Sequence, residues 1–573
     1  MKLLVDLTKH RRVRTRRFNG VVSRNTETTK SNDDMSILDL IPQLEKNCQV
    51  RDTLFEEVYR ALPDDSNLSD KLEALIVLNR SIAAGYDLSR SRDYGGKVLR
   101  LPDIEYFVQP EYIQENITQP LNAGVFASHS SIRCECVKLL FATIKYFDFE
   151  EYGCLFNIPT LWTLLYLIEY GTSNRAALGG VDETWKTSVS IFSRLLCKIQ
   201  LPVDIMRRLV DAICNKYDPA AVDFCQSFFV NVIFFEAPEQ KEISIYDSLS
   251  GSYLNMSRRV ARYLCSLAAN SRDDAVLSKV CNALIHAGSH HFGVELLMHE
   301  NCIADLMRIS LTVVDRYNLI TTMIRGRDIY NPENPIRITD YISQNMHKLS
   351  FDALSAISKM AFMGCNHHIK NMLDMGMAAV IVKILECPVS STLMLTRAAN
   401  TLGNLACETS AAVPIILGVK AIPALVNIFV ETTEPNAKIE CAYAICACLS
   451  ECDAMQVRYI VACTARGRVM QGSTCISMLC DMLDLTSVSD PTHEGNLRLC
   501  KVILKALKNI MTKGQEEKHN LKLPDNPYLQ LFMEKAGDVR LSKLHTFPDL
   551  KVASMAVNIS MTFLNGHKLW SAL

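Results

Sequence analysis

Apolar side chains recur every three to four positions along most of this chain. In 499–511 they fall at Leu499, Val502, Ile503, Ala506, Leu507, Ile510 and Met511, the stripe of a helix with one face in a core. No run alternates convincingly at period two, so helices are expected and strands are not. Small residues sit on the same stripes: Ala398, Ala399 and Gly403 in one segment, Ala442, Ala444 and Ala447 in another. They predict neighbouring helices that approach closely. Gly376, Gly418 and Gly537 lie between helical patterns, where tight turns are expected. Long helices of one type recur at 71–84, 132–145, 187–198, 222–235, 278–287, 353–363, 396–407, 439–450, 502–512 and 551–563. Corresponding positions Asn404 and Ala447 are 43 residues apart, but Ala447 and Asn509 are 62 apart. Two polar inserts, 466–474 and 486–495, account for the excess. A longer insert spans 308–346, with the loop "NPENP" at 331–335.

With 573 residues, 49% of them hydrophobic, and a formal charge of −1, the chain has the balance of an ordered protein. Such a length predicts several globular domains unless one core grows by repetition, as in a solenoid. No apolar run reaches the roughly 18–20 residues that cross a bilayer; 160–168 and 228–235 are of core-helix size. Residues 1–7 are apolar and give way to arginines, the reverse of a secretory signal. The 21 cysteines are dispersed through amphipathic stretches, as small core residues in a reducing compartment would be.

Three segments resemble importin-α, an armadillo-repeat family: "TRAANTLGNLACE" at 396–408, "KIECAYAICACLSECDAMQVRYIV" at 438–461, and "VILKALKNIMTKGQEEKHN…NPYLQLFMEKAGDVRLSKL" within 502–544. The resemblance covers roughly the last 200 residues. It implies an all-α, right-handed armadillo-repeat superhelix of about ten three-helix repeats behind a basic, largely disordered N-terminal tail. The corresponding division is 1–45 tail and linker, 46–349 divergent repeats, 350–565 well-matched repeats and 566–573 a C-terminal tail.

In the tail, Lys9, Arg11, Arg12, Arg14, Arg16 and Arg17 place six positive charges in nine residues without an acid, leaving −7 on the rest of the chain. Such segregation favours a basic arm reaching a partner or folding onto its own body. Order and spacing before Asp33 and Asp34 are similar to the family's importin-β-binding segment. The stretch between, "NTETTKSN" at 25–32, is nearly neutral where the family is basic.

An importin-α groove holds an extended Lys/Arg-rich peptide with a Trp and an Asn four residues apart on third helices. The Asn amide clamps the peptide backbone, and the indoles stack on cationic side chains. Here that ladder is eroded. Asn400 stands at a Trp position with Asn404 kept; Tyr443 and Ala447 replace the next pair, with Glu440 as the acidic partner; Lys359 stands at an earlier Asn position. Further toward the N-terminus the pairs read Lys138 and Ala142, Val189 and Ser193, Gln226 and Val230, and Trp162, Trp185 and Trp570 fall off the pattern. A residual cargo site at Asn400, Asn404, Glu440 and Tyr443 is therefore expected. Packing or capping for Asn404, and plain surface for Glu440, are equally open.

No catalytic arrangement stands above chance. The segment 180–187 lacks the second glycine and preceding strand of a phosphate loop. Cys365, His367 and His368, taken as surface-loop residues, and Cys446, Cys448 and Cys452 lack the separated pairs that zinc needs. The resemblance implies an adaptor without enzymatic activity, cofactor or metal, shared between cytoplasm and nucleus. It would link a cargo protein to importin-β, with an export receptor on the last repeats and no membrane or nucleic-acid contact. The rival expectation is an armadillo interaction scaffold that no longer binds ordinary nuclear localisation signals.

Overall fold

A computed structural model describes residues 109–124, 129–170, 183–215, 221–231, 251–325, 338–463, 474–488 and 494–564, with a few positions between 71 and 79. The arginine-rich tail, the 331–335 loop and Trp570 lie outside the described residues. Two compact units are formed, Met1–Ala212 and Ile213–Leu573. Every described element is helical and no strand occurs among the described residues.

In the first unit α1 (Ser130–Tyr146), α2 (Ile158–Tyr170) and α3 (Glu183–Leu195) carry the core, and α4 (Val203–Cys214) runs across the boundary at 212. Helix α1 packs beside α3 through Cys136, Val137, Leu139 and Leu140 on one side and Val189, Ile191, Phe192 and Leu195 on the other, all 0% exposed. Trp185 is fully buried in α3, which explains why it fits no groove pattern. Trp162 is held at the surface: the Arg208 guanidinium lies 5.0 Å from its ring and donates to both oxygens of Glu169.

The second unit repeats one motif. Long helices α5 (Val222–Asn231), α7 (Asp274–Ala287), α11 (Gln344–Met363), α14 (Thr392–Glu408), α17 (Pro435–Glu451), α20 (Glu494–Leu521) and α23 (Leu550–Ile559) each pack against the next. Other helices lie between them: α6 (Gly251–Asn270) after α5; α8 (His291–His299), α9 (Cys302–Ser310) and α10 (Thr312–Arg325) after α7; α12 (Asn366–Asp374) and α13 (Met377–Glu386) after α11. The pairs α15 (Ala412–Gly418) with α16 (Ala421–Glu431), α18 (Ala454–Ala462) with α19 (Thr474–Val488), and α21 (Pro527–Glu534) with α22 (Gly537–Ser542) follow. Each expected long helix from 132 onward overlaps one of these helices; 187–198 runs past the end of α3 at Leu195, and 232–235 lie outside the described residues. The expected insert at 308–346 contains a helix of its own, α10.

Local chemistry sets the boundaries. Asp273, Ser343, Ser391, Asp453, Asn526 and Asp549 each accept a backbone N–H of the first turn they precede. Such caps are worth about 0.5–2 kcal/mol each. The turn joining the two short helices of a repeat passes through one left-handed residue: Asn301, Gly376, Lys420 and Ala536, at φ 61, 89, 61 and 52°. Two of the three expected turn glycines are therefore displaced from the strained position. Gly418 ends α15, and Gly537 begins α22, where a Cβ would meet the Phe532 ring at 2.3 Å. Close packing, not φ, requires glycine at 537.

One other expectation is corrected. Cys365 caps α12, and His368 is a buried first-turn residue of that helix whose Nε2 lies 2.6 Å from Glu295, so these are helix residues and not a surface loop. Among the described residues no three His, Cys, Asp or Glu side chains gather as a metal site would need. No single described helix is long and apolar enough to cross a membrane; α15 and α16 reach that composition only as a pair bent by 71°.

Candidate functional site

Helices α11, α14, α17 and α20 present a row of polar side chains in the second unit. The row exists because helix–helix spacing here is short. Ala398, Ala399, Ala442 and Ala444 are fully buried, and a Cβ on Gly403 would lie 2.4 Å from two ring carbons of Tyr443. Only glycine lets the Tyr443 ring lie against α14. That contact carries the phenol oxygen to within 3.2 Å of Cys407 Sγ.

Asn400 and Asn404, one turn apart, share one face of α14. Asn400 donates to Glu440 Oε2 at 2.8 Å and accepts from Ser358 Oγ at 2.7 Å. Asn404 is 3% exposed. Its amide nitrogen donates to Ser358 O (3.3 Å), with Ser358 Oγ at 3.4 Å and Asn400 Oδ1 at 3.2 Å. Its oxygen accepts from Arg498 Nη2 at 3.1 Å. The same nitrogen of Arg498 donates to the Tyr443 hydroxyl. The guanidinium carbon lies 4.8 Å from the Phe362 ring centre and 4.7 Å from that of Tyr443. Two such ring contacts are worth about 0.5–2 kcal/mol each.

Charge responds to this burial. The Glu440 carboxyl titrates above the usual range because burial disfavours its anion; the Asn400 amide, Arg397 and Arg498 pull the other way. Burial also raises the Tyr443 phenol, reinforced by Cys407 and opposed by Arg498. Arg397, 5.5 Å from the Phe351 ring, is lowered by burial with Glu440 opposing. All four residues named from the sequence, Asn400, Asn404, Glu440 and Tyr443, thus meet in one network.

Sequence reasoning missed Ser358, Phe362 and Arg498. Ser358, not Lys359, bonds Asn404; Lys359 is exposed, its Nζ 6.0 Å from the Phe362 ring. Arg498 lies in the first part of α20, eleven residues before Asn509 and far from the expected Trp and Asn positions. In the register set by Asn509, Arg498 corresponds to Leu393, an exposed apolar residue of α14 that gives no hint of a polar contact there. Asn509 itself donates to Leu449 O (2.8 Å) and Cys452 O (2.9 Å), tying off the end of α17.

The first unit contains a cavity beside α1. Ile76, Asn79, Glu135, Lys138, Phe141, Ala142, Lys145 and Tyr146 line this cavity of about 340 Å³. The expected pair Lys138 and Ala142 therefore shares one concavity. Asn79, unnoticed in the sequence, donates to Glu135 O and Glu135 Oε2, both at 2.9 Å. Lys138 bridges Glu135 (3.0 Å) and Glu183 (2.6 Å). Val189 is fully buried and Ser193 bonds back to its carbonyl at 3.0 Å, so that pair is core. Gln226 and Val230 are half-buried on α5.

No family model matches the chain, and no curated protein matches it. Solved structures do. An engineered protein aligns with TM-score 0.56 at 14% identity, over 89% of this chain and 98% of its own. A designed armadillo repeat protein aligns with TM-score 0.37 at 16% identity, over 52% of this chain and 98% of its own. Another designed armadillo repeat protein, in complex with the peptide (KR)4, aligns with TM-score 0.35 at 17% identity, over 52% and 98%. The chain has an all-α armadillo-repeat fold: long helices stacked side by side, with four of the described connections turning through a left-handed residue.

Proposed function

We propose that the chain is an importin-α-like adaptor with an atypical cargo groove, linking a cargo segment to importin-β and moving between cytoplasm and nucleus. One observation carries the reading. The row of Asn400, Asn404, Glu440 and Tyr443 has the chemistry of a groove for an extended cationic peptide, two amides with an acid and an aromatic face, yet each member already has a partner within the chain. A peptide backbone must displace Ser358 or Arg498 to reach the Asn404 amide. An ordinary lysine-rich signal therefore binds weakly here, and the cargo is narrow or atypical. Arg11, Arg12, Arg14, Arg16 and Arg17 supply the importin-β arm, with export-receptor binding on the last repeats. The reading assigns no catalysis, cofactor, metal or nucleic acid.

The second reading, an armadillo interaction scaffold outside transport, is favoured by the lack of any Trp-x-x-x-Asn pair in the chain. A pull-down with importin-β separates the two. The adaptor binds, loses binding on deletion of residues 1–32 and on Arg14, Arg16 and Arg17→Glu, and weakens with salt. Failure of the intact chain to bind, or binding that survives the charge reversal, favours the scaffold.

A further inference from the structure

The site around Arg498 is built by helices other than its own. Phe362 comes from α11, Asn404 from α14 and Tyr443 from α17, whereas Arg498 arrives from α20. Two ring faces within 5 Å of the guanidinium carbon, and two oxygen acceptors on one of its nitrogens, fit a flat cation. The partner groups match a guanidinium better than an ammonium. A guanidinium stacks on rings while its N–H groups point outward in one plane, and it is the more weakly hydrated of the two ions. The carboxylate of Glu440, bonded to Asn400 at 2.8 Å, adds a favourable charge nearby. One wall opens outward: Phe362 is 44% exposed.

We propose that Phe362, Asn404 and Tyr443 form a guanidinium-binding slot that Arg498 occupies in cis, and that an arginine side chain of a partner peptide takes the slot when Arg498 leaves. The slot stands on its own geometry; that the visitor belongs to an extended peptide rests on the groove reading above. The consequence is selectivity. A tethered occupant is present at high effective concentration, so a lone cation does not enter. A peptide enters only if its other contacts compensate for expelling Arg498. Lysine-only segments gain least, because an ammonium makes a poorer fit between the rings.

Arg498→Ala in the full chain tests the proposal. Its melting temperature falls, and millimolar guanidinium chloride restores part of the loss while tetramethylammonium chloride does not; the wild type shows no such gain. The variant also binds an acetylated Ala-Arg-Ala-Arg-Ala peptide at least about tenfold more tightly than wild type, and a lysine version of the peptide gains less. Adding Tyr443→Phe, which removes only the hydroxyl acceptor, reduces the gain. Equal recovery with both salts, or equal gains for both peptides, overturns the proposal. If Arg498→Ala does not fold, Arg498→Lys keeps the charge and answers the same question: guanidinium-specific stabilisation supports the slot, and none overturns it. Loss of importin-β binding would remove the adaptor reading without altering these outcomes.

Discussion

The cavity of the first unit and the polar row of the second hold similar residues and use them differently. In the first, an asparagine amide is spent on Glu135, and the nearby cation, Lys138, is held by two carboxylates. The aromatic and apolar side chains Phe141, Tyr146 and Ile76 remain as walls of an open cavity. In the second, the cation sits on the aromatic faces themselves and also binds the amide. Where a carboxylate takes the cation, the concavity stays open; where rings and an amide take it, the concavity fills. In these two regions, then, the space between the helices depends on the partner of the nearest basic side chain as much as on the asparagine and ring positions.

The largest break in this contrast should come from filling space. Gly403→Ala drives a methyl into the Tyr443 ring, and Ala447→Leu adds volume at a position 1% exposed. Each should cost about 1–3 kcal/mol in denaturant unfolding. Ala142→Leu, at a position 7% exposed that lines the first-unit cavity, should cost less than Ala447→Leu because the cavity accepts the added volume. Equal costs at 142 and 447 would erase the open-versus-filled distinction.

The next effect concerns the two asparagines. Asn404→Ala removes the bond to the Ser358 carbonyl and leaves one Arg498 N–H without its acceptor, and should cost about 1–3 kcal/mol. Asn79→Ala leaves Glu135 with Lys138 still in place and should cost about 0.5–1.5 kcal/mol. Chemical denaturation of both variants checks the order, and a reversal would mean that the first-unit amide is the more deeply committed one.

Much of the fold was legible because third helices carry a continuous apolar stripe with small residues at contacts, as at Ala398, Gly403 and Ala442. The same reading located Asn404, Glu440 and Tyr443, since they keep register inside unbroken repeats. Arg498 was not legible: its counterpart in α14, Leu393, is an exposed apolar residue, so the repeat pattern marks no groove role at that position. Asn79 and Ser358 were missed for another reason. Small polar residues on a helix carry no periodic signal, and their role depends on which backbone carbonyl a neighbouring helix presents. Turn residues such as Lys420 and Ala536 were hidden because only the surrounding packing forces a left-handed backbone there.

The smallest expected effect has opposite signs in the two regions. Glu440 titrates higher in the folded chain than in the unfolded one, chiefly through burial. Its contribution to stability is full below the unfolded value of about 4.3 and is lost as pH rises through the folded one. Glu183 titrates lower, chiefly through its hydrogen bond with Lys138. Its contribution is present above the unfolded value and is lost as pH falls through the folded one. Relative to Glu440→Gln the wild type should gain melting temperature on acidification, and relative to Glu183→Gln it should lose it. Parallel profiles would show that the two carboxylates share one environment.

The most direct test of a self-filled C-terminal groove is arginine side-chain NMR on the intact protein, with Arg498 assigned by the signal that disappears in Arg498→Lys. A guanidinium clamped between Phe362 and Tyr443 and bonded to Asn404 rotates slowly about its Nε–Cζ bond. Its terminal nitrogens should then give separate, slowly exchanging signals that persist when a lysine-rich peptide is added. A single averaged signal, like that of a solvated surface arginine, would show that Arg498 does not hold the slot and would contradict the account.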